Sequence, residues 1–497
     1  MSAIKKQSIL SSLIIYIGFA IGALNTLLFV NLFTPEQYGL TRIFADVSQT
    51  FYILASLGSV PLLYKFYPYY RDRLERKERD LFSLCLGFSL IGFTLLVIGT
   101  LLFKGLIIRK FSANSQLFID HFNLIYPLSF FLMLFSLLEA HAWNMHRSAV
   151  ANFYKELGLR LCYLVIIVLF VLKFIPFSTF ITLYCWAFAI IFLGLFIYLA
   201  RKHEIELTLT VSKLTRRIFR RLLAYNSFVF LGATFTIIAK SIDTVMVASI
   251  EGIGAAGVFS FYMYITSLME APQRGIISAS IPVVAKAWKD KNLAKIQSLY
   301  QKSSINMLAF SSFLLGLIWL NFDNVFSILH LKPTYYPARY LVLWLGFKVL
   351  VELGTGINTQ ILATSRYWKM DFISTVVLLL LEIPLNYILL KRFGLSGLAA
   401  ANLIAYTVFN GMRFIFIWIK FGLQPFTWKT LQALAIALLA YFPASAVRLG
   451  NPWLDSAVQT VVFLVIFTLP TLYLNISEEI TQLVQTTYRR ALRLLKR

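Results

Sequence analysis

Three pairs of opposite charge stand four residues apart inside otherwise apolar stretches: Arg42 with Asp46, Glu270 with Arg274, and Lys348 with Glu352. On a helix that spacing puts both members on one face. Lys240 and Asp243 lie in another such stretch. An ionisable side chain in hydrocarbon costs about 2.5–3.5 kcal/mol on insertion scales, so one at depth needs a partner, a wet cavity or a task. Two readings are therefore open for each pair. Either the two charges neutralise each other, or the carboxylate holds the cation ready for an anionic ligand, to which a guanidinium fork can donate two parallel hydrogen bonds.

Other charges read more simply. Arg339, Arg413 and Arg448 fall near the ends of apolar stretches, where their stems can snorkel to the interface as anchors. Glu139 and His141 sit near one end of another stretch and read as a solvated rim. His121, His203 and His330 fall in loops without ligand spacing, and Cys85, Cys162 and Cys185 lie in apolar segments. Neither a metal, a cofactor nor a disulfide framework is expected.

The elements that must position these charges are membrane helices. The 497 residues are 59% hydrophobic and 14% charged, with a mean hydropathy of +0.74. A spanning helix needs about 20 largely apolar residues, and such segments recur from residue 9 to residue 474. We count fourteen, with 9–33 as the first span rather than a cleaved leader. A net charge of +24 would suggest nucleic acid in a soluble chain, but here its distribution reports topology. With an inner N-terminus, 31 of the 46 Lys and Arg fall in inner segments and seven in outer loops. The positive-inside rule then puts both termini in the cytoplasm, and no nucleic-acid partner is expected. Segments 211–225, 285–302 and 488–497 mix basic and apolar residues as interfacial helices do.

Around residue 220 the pattern begins again. Asn25 precedes Gly39 by fourteen residues, Asp243 precedes Gly257 by fourteen, and both pairs differ by 218 positions. The expected fold is all-α and polytopic, with two pseudo-symmetric lobes around a central cavity. The lobes span 1–210 and 211–420, and 421–497 adds two peripheral spans and a basic tail. Duplicated halves are a common plan for secondary transporters.

Three local patterns carry a family likeness. FTPEQYGL (33–40), SIDTVMVASIEGIGAAGVFSFYMYI (241–265) and PLNYILLKRFGLSGLAAANLIAYTV (384–408) resemble segments of the multidrug, oligosaccharidyl-lipid and polysaccharide exporters, in particular the O-antigen-type flippases. Leu398 and Val258 depart from the family's usual residues without altering the expected fold. The resemblance implies a transporter rather than an enzyme, in the cytoplasmic membrane, that moves a polyprenyl-diphosphate-linked oligosaccharide by alternating access. Its partners would be that lipid-linked oligosaccharide, membrane lipids, and the glycosyltransferases and polymerase of the pathway. A diphosphate calls for cations near mid-membrane. Arg42, Lys240, Arg274 and Lys348 are the candidate ligands, with Asp46, Asp243, Glu270 and Glu352 as charge partners and candidates for ion coupling.

Two alternatives compete. A cation-coupled multidrug exporter of the same fold would want a net acidic cavity, whereas the charges within these spans are balanced to slightly basic. A polysaccharide polymerase or ligase would want a large outer loop with catalytic groups, and the longest outer loop, about 104–122, offers none.

Overall fold

The computed structural model describes residues 3–208, 210–477 and 481; the basic stretch 488–497 lies outside them. Among the described residues all regular structure is helical, as the composition requires. The chain divides into two compact units, Met1–Val258 and Phe259–Arg497.

The first unit contains α1 (Ala3–Leu32), α2 (Pro35–Ser56), α3 (Ser59–Arg73), α4 (Leu81–Leu102), α5 (Lys104–Phe111), α6 (Gln116–Asp120), α7 (Ile125–Asn144), α8 (Ser148–Asn152), α9 (Leu159–Val171), α10 (Phe177–Arg201) and α11 (Lys213–Ile250). Helix α12 (Ile253–Ser267) leads into the second unit, which holds α13 (Ala271–Lys289), α14 (Leu293–Ile328), α15 (Leu341–Gly354), α16 (Asn358–Thr364), α17 (Trp368–Phe421), α18 (Trp428–Ala446) and α19 (Pro452–Tyr473). Among the described residues seven helices are each long and apolar enough to cross a membrane, and two bent pairs bring that number to nine. The 54-residue α17 is two helices joined at Gly394.

Packing divides the chain at 258 because α11, which the repeat places at the head of the second lobe, lies against α2. The lobe boundaries expected at 210 and 420 rest on the 218-residue spacing, which is a different property from compactness. Two expected interfacial helices take another form. Segment 211–225 opens the 38-residue α11, which at 1.5 Å per residue is about 57 Å long; it continues into a span without a break. Segment 285–302 is cut at Asp290–Asn292 between the end of α13 and the start of α14, where Asn292 Oδ1 accepts from Lys295 N at 2.9 Å.

The repeat has a geometric counterpart inside the first unit. A Cβ on Gly39 would fall 1.9 Å from the Ile253 carbonyl oxygen, and one on Gly257 would fall 2.3 Å from that of Pro35. Both positions are thus closed to any side chain. Residues 39 and 257 differ by 218, and so do 35 and 253. Each member of one pair touches the counterpart of the other's partner, the reciprocal pattern of contact across a two-fold axis.

Each unit also contains a broken span. In the first, α2 and α3 meet at 47°, where Leu57 and Gly58 take positive φ. Asn226 of α11 donates to the freed Leu57 carbonyl at 2.5 Å. In the second, α15 and α16 meet at 44° around Gly356, whose φ is 63°. There Ser304 donates to the Gly354 carbonyl at 2.5 Å, and Asn410 Oδ1 accepts from Thr355 and Asn358 at 3.1 Å each. A helix can break inside a bilayer only where neighbours satisfy the backbone it releases, and both breaks meet that condition.

Candidate functional site

Arg42 lies two turns into α2, half-buried, with its guanidinium carbon 4.9 Å from the centre of the Tyr38 ring. The capping box at Thr34, closed by Gln37, fixes where that helix begins and so which face Arg42 occupies. Tyr163 of α9 and Tyr184 of α10 stack on each other at 4.3 Å and 14°, and both lie within electrostatic reach of the arginine. Phe29 packs on Tyr38 and Tyr184. Arg42 Nε has no hydrogen-bond partner among the described residues. The cation therefore rests beside the Tyr38 ring, which can stabilise it without occupying Nε.

Asp46, one turn further on, is coupled to Arg42 electrostatically and lies against Thr244. No Arg42–Asp46 ion pair forms within 4 Å among the described residues. On the same faces of α2 and α11, Thr50 and Ser241 share a hydrogen bond of 3.0 Å. Asp243 is buried on α11, while Lys240, one turn earlier, is exposed.

In the second unit Lys348 and Glu352 form the ion pair their spacing allows, at 3.5 Å. The ammonium also sits 4.0 Å from the centre of the Tyr406 ring. Here the cation has a carboxylate partner as well as an aromatic one. Glu270 closes the 3-10 turn before α13 and is half-buried, and the side chain of Arg274, on α13, lies outside the described residues. The structure therefore groups Arg42 with Asp46 in one unit and Lys348 with Glu352 in the other.

Three charges read as peripheral prove to be interior. Arg413 is 4% exposed. It donates to Ser374 and Thr359 at 2.8 Å each and to Asp371 at 2.5 Å, while its guanidinium covers the Phe409 ring at 3.8 Å. It is not a snorkelling anchor, because Asp371 and the hydroxyls of two neighbouring helices draw it inward. Glu139 is buried and paired with Lys155 at 2.8 Å, and His141 is fully buried with Nε2 2.8 Å from the Glu204 carbonyl. Helix α8 and the 204–206 segment pack over that end of α7, so Glu139 and His141 themselves are not a solvated rim.

Lys155 is the residue sequence reading missed. It belongs to a π-helical turn, Phe153–Gly158, against which α1 packs. Glu156 in the same turn pairs with Arg160 at 2.9 Å, while the Arg160 carbonyl accepts from Asn25 at 2.9 Å. Lys155 reads from its spacing as a loop cation, and its separation of sixteen positions from Glu139 gives no helical signal. The basic segments around residues 79, 147 and 213 are likewise tied together: Arg79 reaches Glu206 at 2.8 Å, Arg147 reaches Glu204 at 2.7 Å, and Asp80 accepts from Ser212 N and Thr215 Oγ1. Among the described residues no cluster of His, Cys, Asp and Glu could hold a metal ion.

Comparison with known proteins follows the same lines. The family model described as "Polysaccharide biosynthesis protein" matches residues 4–288, and the MatE model matches residues 229–388. No curated protein matches the chain. Among solved structures, a lipid II flippase, MurJ, in an inward closed conformation superposes with a TM-score of 0.72 at 17% identity, over 94% of this chain and 99% of that one. An inward-facing multidrug resistance MATE family transporter of the MOP superfamily gives 0.67 at 16% identity, over 81% and 94%. An outward-facing one gives 0.58 at 16% identity, over 84% and 96%. These likenesses establish a transporter fold shared by flippases and exporters, in a multi-pass helical membrane protein. With more than half its length matched by the family model, the chain belongs to the polysaccharide biosynthesis protein family.

Proposed function

We propose that this protein is a flippase that carries a polyprenyl-diphosphate-linked oligosaccharide across the cytoplasmic membrane by alternating access, with both termini in the cytoplasm. The observation that carries this reading is the state of Arg42: a half-buried guanidinium beside the Tyr38 ring, with its Nε left unpartnered among the described residues and no ion pair to Asp46. An arginine kept for structure alone is satisfied in the way Arg413 is. An arginine that awaits an anion keeps a donor free, and the diphosphate of a lipid-linked saccharide is such an anion.

Lys348 is the counterpart in the second unit. Its pair with Glu352 is longer than the Arg413–Asp371 contact, so an incoming phosphate can compete with that carboxylate. Lys240 and Arg274 complete the proposed ligand set, with Asp46, Asp243, Glu270 and Glu352 as charge partners. Glycosyltransferases and a polymerase of the same pathway would supply and consume the cargo.

The test is translocation of a fluorescent polyprenyl-diphosphate-linked oligosaccharide in reconstituted vesicles. Alanine at Arg42 and at Lys348 should each slow it at least tenfold, and unchanged rates in both variants would overturn the assignment. The match of the MatE model to 229–388 favours a second reading, a cation-coupled multidrug exporter. Expression in a drug-sensitive host separates the two, because a flippase leaves drug susceptibility unaltered.

A further inference from the structure

The second unit contains a cavity of about 410 Å³ where α14 ends and α19 begins. None of the proposed diphosphate ligands lines it. Its size falls within the ~300–1,000 Å³ typical of small-molecule pockets, and its chemistry is unlike that of the surrounding apolar helices.

Four charged residues reach it, and three are already engaged. Arg339 is shared between Asp323, at 3.4 Å, and the hydroxyl of Tyr340, at 3.2 Å. The Asp455 carboxylate accepts the Leu449 backbone N–H at 2.5 Å. Arg448 remains, exposed and without an ion-pair or hydrogen-bond partner among the described residues. An arginine that serves only as an anchor needs no cavity beside it.

The walls are equally specific. Trp319 and Tyr441 line it, and the negative π clouds of such rings suit the weakly positive axial C–H groups of a sugar ring. Asn324 donates to Gln459 at 2.9 Å, and Gln459 donates to the Val447 carbonyl at 2.8 Å. The two amides are thereby fixed in advance and keep further donor and acceptor capacity for hydroxyls. An aromatic wall, preset amides and one uncommitted guanidinium fork together match a polyhydroxylated ring that carries a single carboxylate.

We propose that this cavity binds an acidic saccharide, with the ring against Trp319 and Tyr441 and the carboxylate on Arg448. The inference rests on the flippase reading only for the source of the sugar; the binding itself stands apart from transport.

The experiment uses the full chain in phosphatidylcholine nanodiscs, titrated with methyl glucuronide and, separately, with methyl glucoside. The proposal predicts at least tenfold tighter binding of the glucuronide, loss of that preference in Arg448→Ala, partial retention in Arg448→Lys, and weaker binding of both sugars in Trp319→Leu. Arg42→Ala should bind like the unaltered protein. Absence of glucuronide binding, equal affinity for the two sugars, or a preference that survives Arg448→Ala would overturn it. So would displacement of the glucuronide by phosphatidylglycerol at low mole fraction, which would make the site one for lipid headgroups. Normal sugar binding with failed translocation would count against the proposed function alone, and the reverse result against this cavity alone.

Discussion

At the scale of single residues, charges within this fold are distinguished by how fully they are satisfied. Arg413 spends its donors on a carboxylate and two hydroxyls, and its neighbour Asp371 is only 25% exposed. Arg413→Ala would strand that carboxylate and should cost roughly 3–5 kcal/mol, seen as a large fall in Tm of the purified protein. The Glu139–Lys155 pair is asymmetric, with Glu139 8% and Lys155 43% exposed at the side chain. Lys155→Ala leaves a buried carboxylate without its cation, whereas Glu139→Gln leaves an ammonium that can turn to water. The first should therefore lower Tm more than the second, and equal losses would count against this account. From sequence, the i,i+4 spacing correctly indicated Lys348–Glu352, but Arg42 turns toward Tyr38 instead of pairing with Asp46. Local spacing lists the partners within one turn and is blind to a tyrosine pair supplied by two other helices.

At the scale of elements, the sites of bending and close approach are set by glycines more than by prolines. The two broken spans turn at Gly58 and Gly356, each with a neighbour's side chain on the freed carbonyl. Proline announces itself in any sequence. A glycine break becomes visible only when the Asn or Ser that supports it is known to be adjacent. The 218-residue spacing is carried in the sequence by Asn25, Gly39, Asp243 and Gly257, and the structure gives a close backbone approach at two of them. Gly39→Ala or Gly257→Ala would force backbone against backbone and should cost about 1–3 kcal/mol or more. Gly411→Ala meets nothing within 4 Å and should be neutral or stabilising by up to about 1 kcal/mol. Thermal melting of the three variants checks the contrast, and a tolerant Gly39 would remove the physical basis for the symmetric contact. The interfacial helices expected at 211–225 and 285–302 were misread because an amphipathic stretch that merges into a span, or is cut by a short Asp-Lys-Asn turn, has the same local pattern as one lying alone.

At the scale of the whole molecule, composition sufficed for the fold class and the three family-like segments for the superfamily, because both depend on properties spread along the chain. The candidate site is less legible: it depends on which face of each helix looks toward the tyrosines, and periodicity alone does not choose among neighbours. The proposed transport turns on Arg42 being a cation reserved for an anionic headgroup. Translocation of a polyprenyl-diphosphate-linked oligosaccharide by vesicles containing Arg42→Ala, Arg42→Lys or the unaltered chain tests that claim most directly, provided each variant melts like the parent. The account predicts at least a tenfold loss with alanine and partial recovery with lysine, which restores the charge without the fork. Equal rates in all three proteins would contradict it.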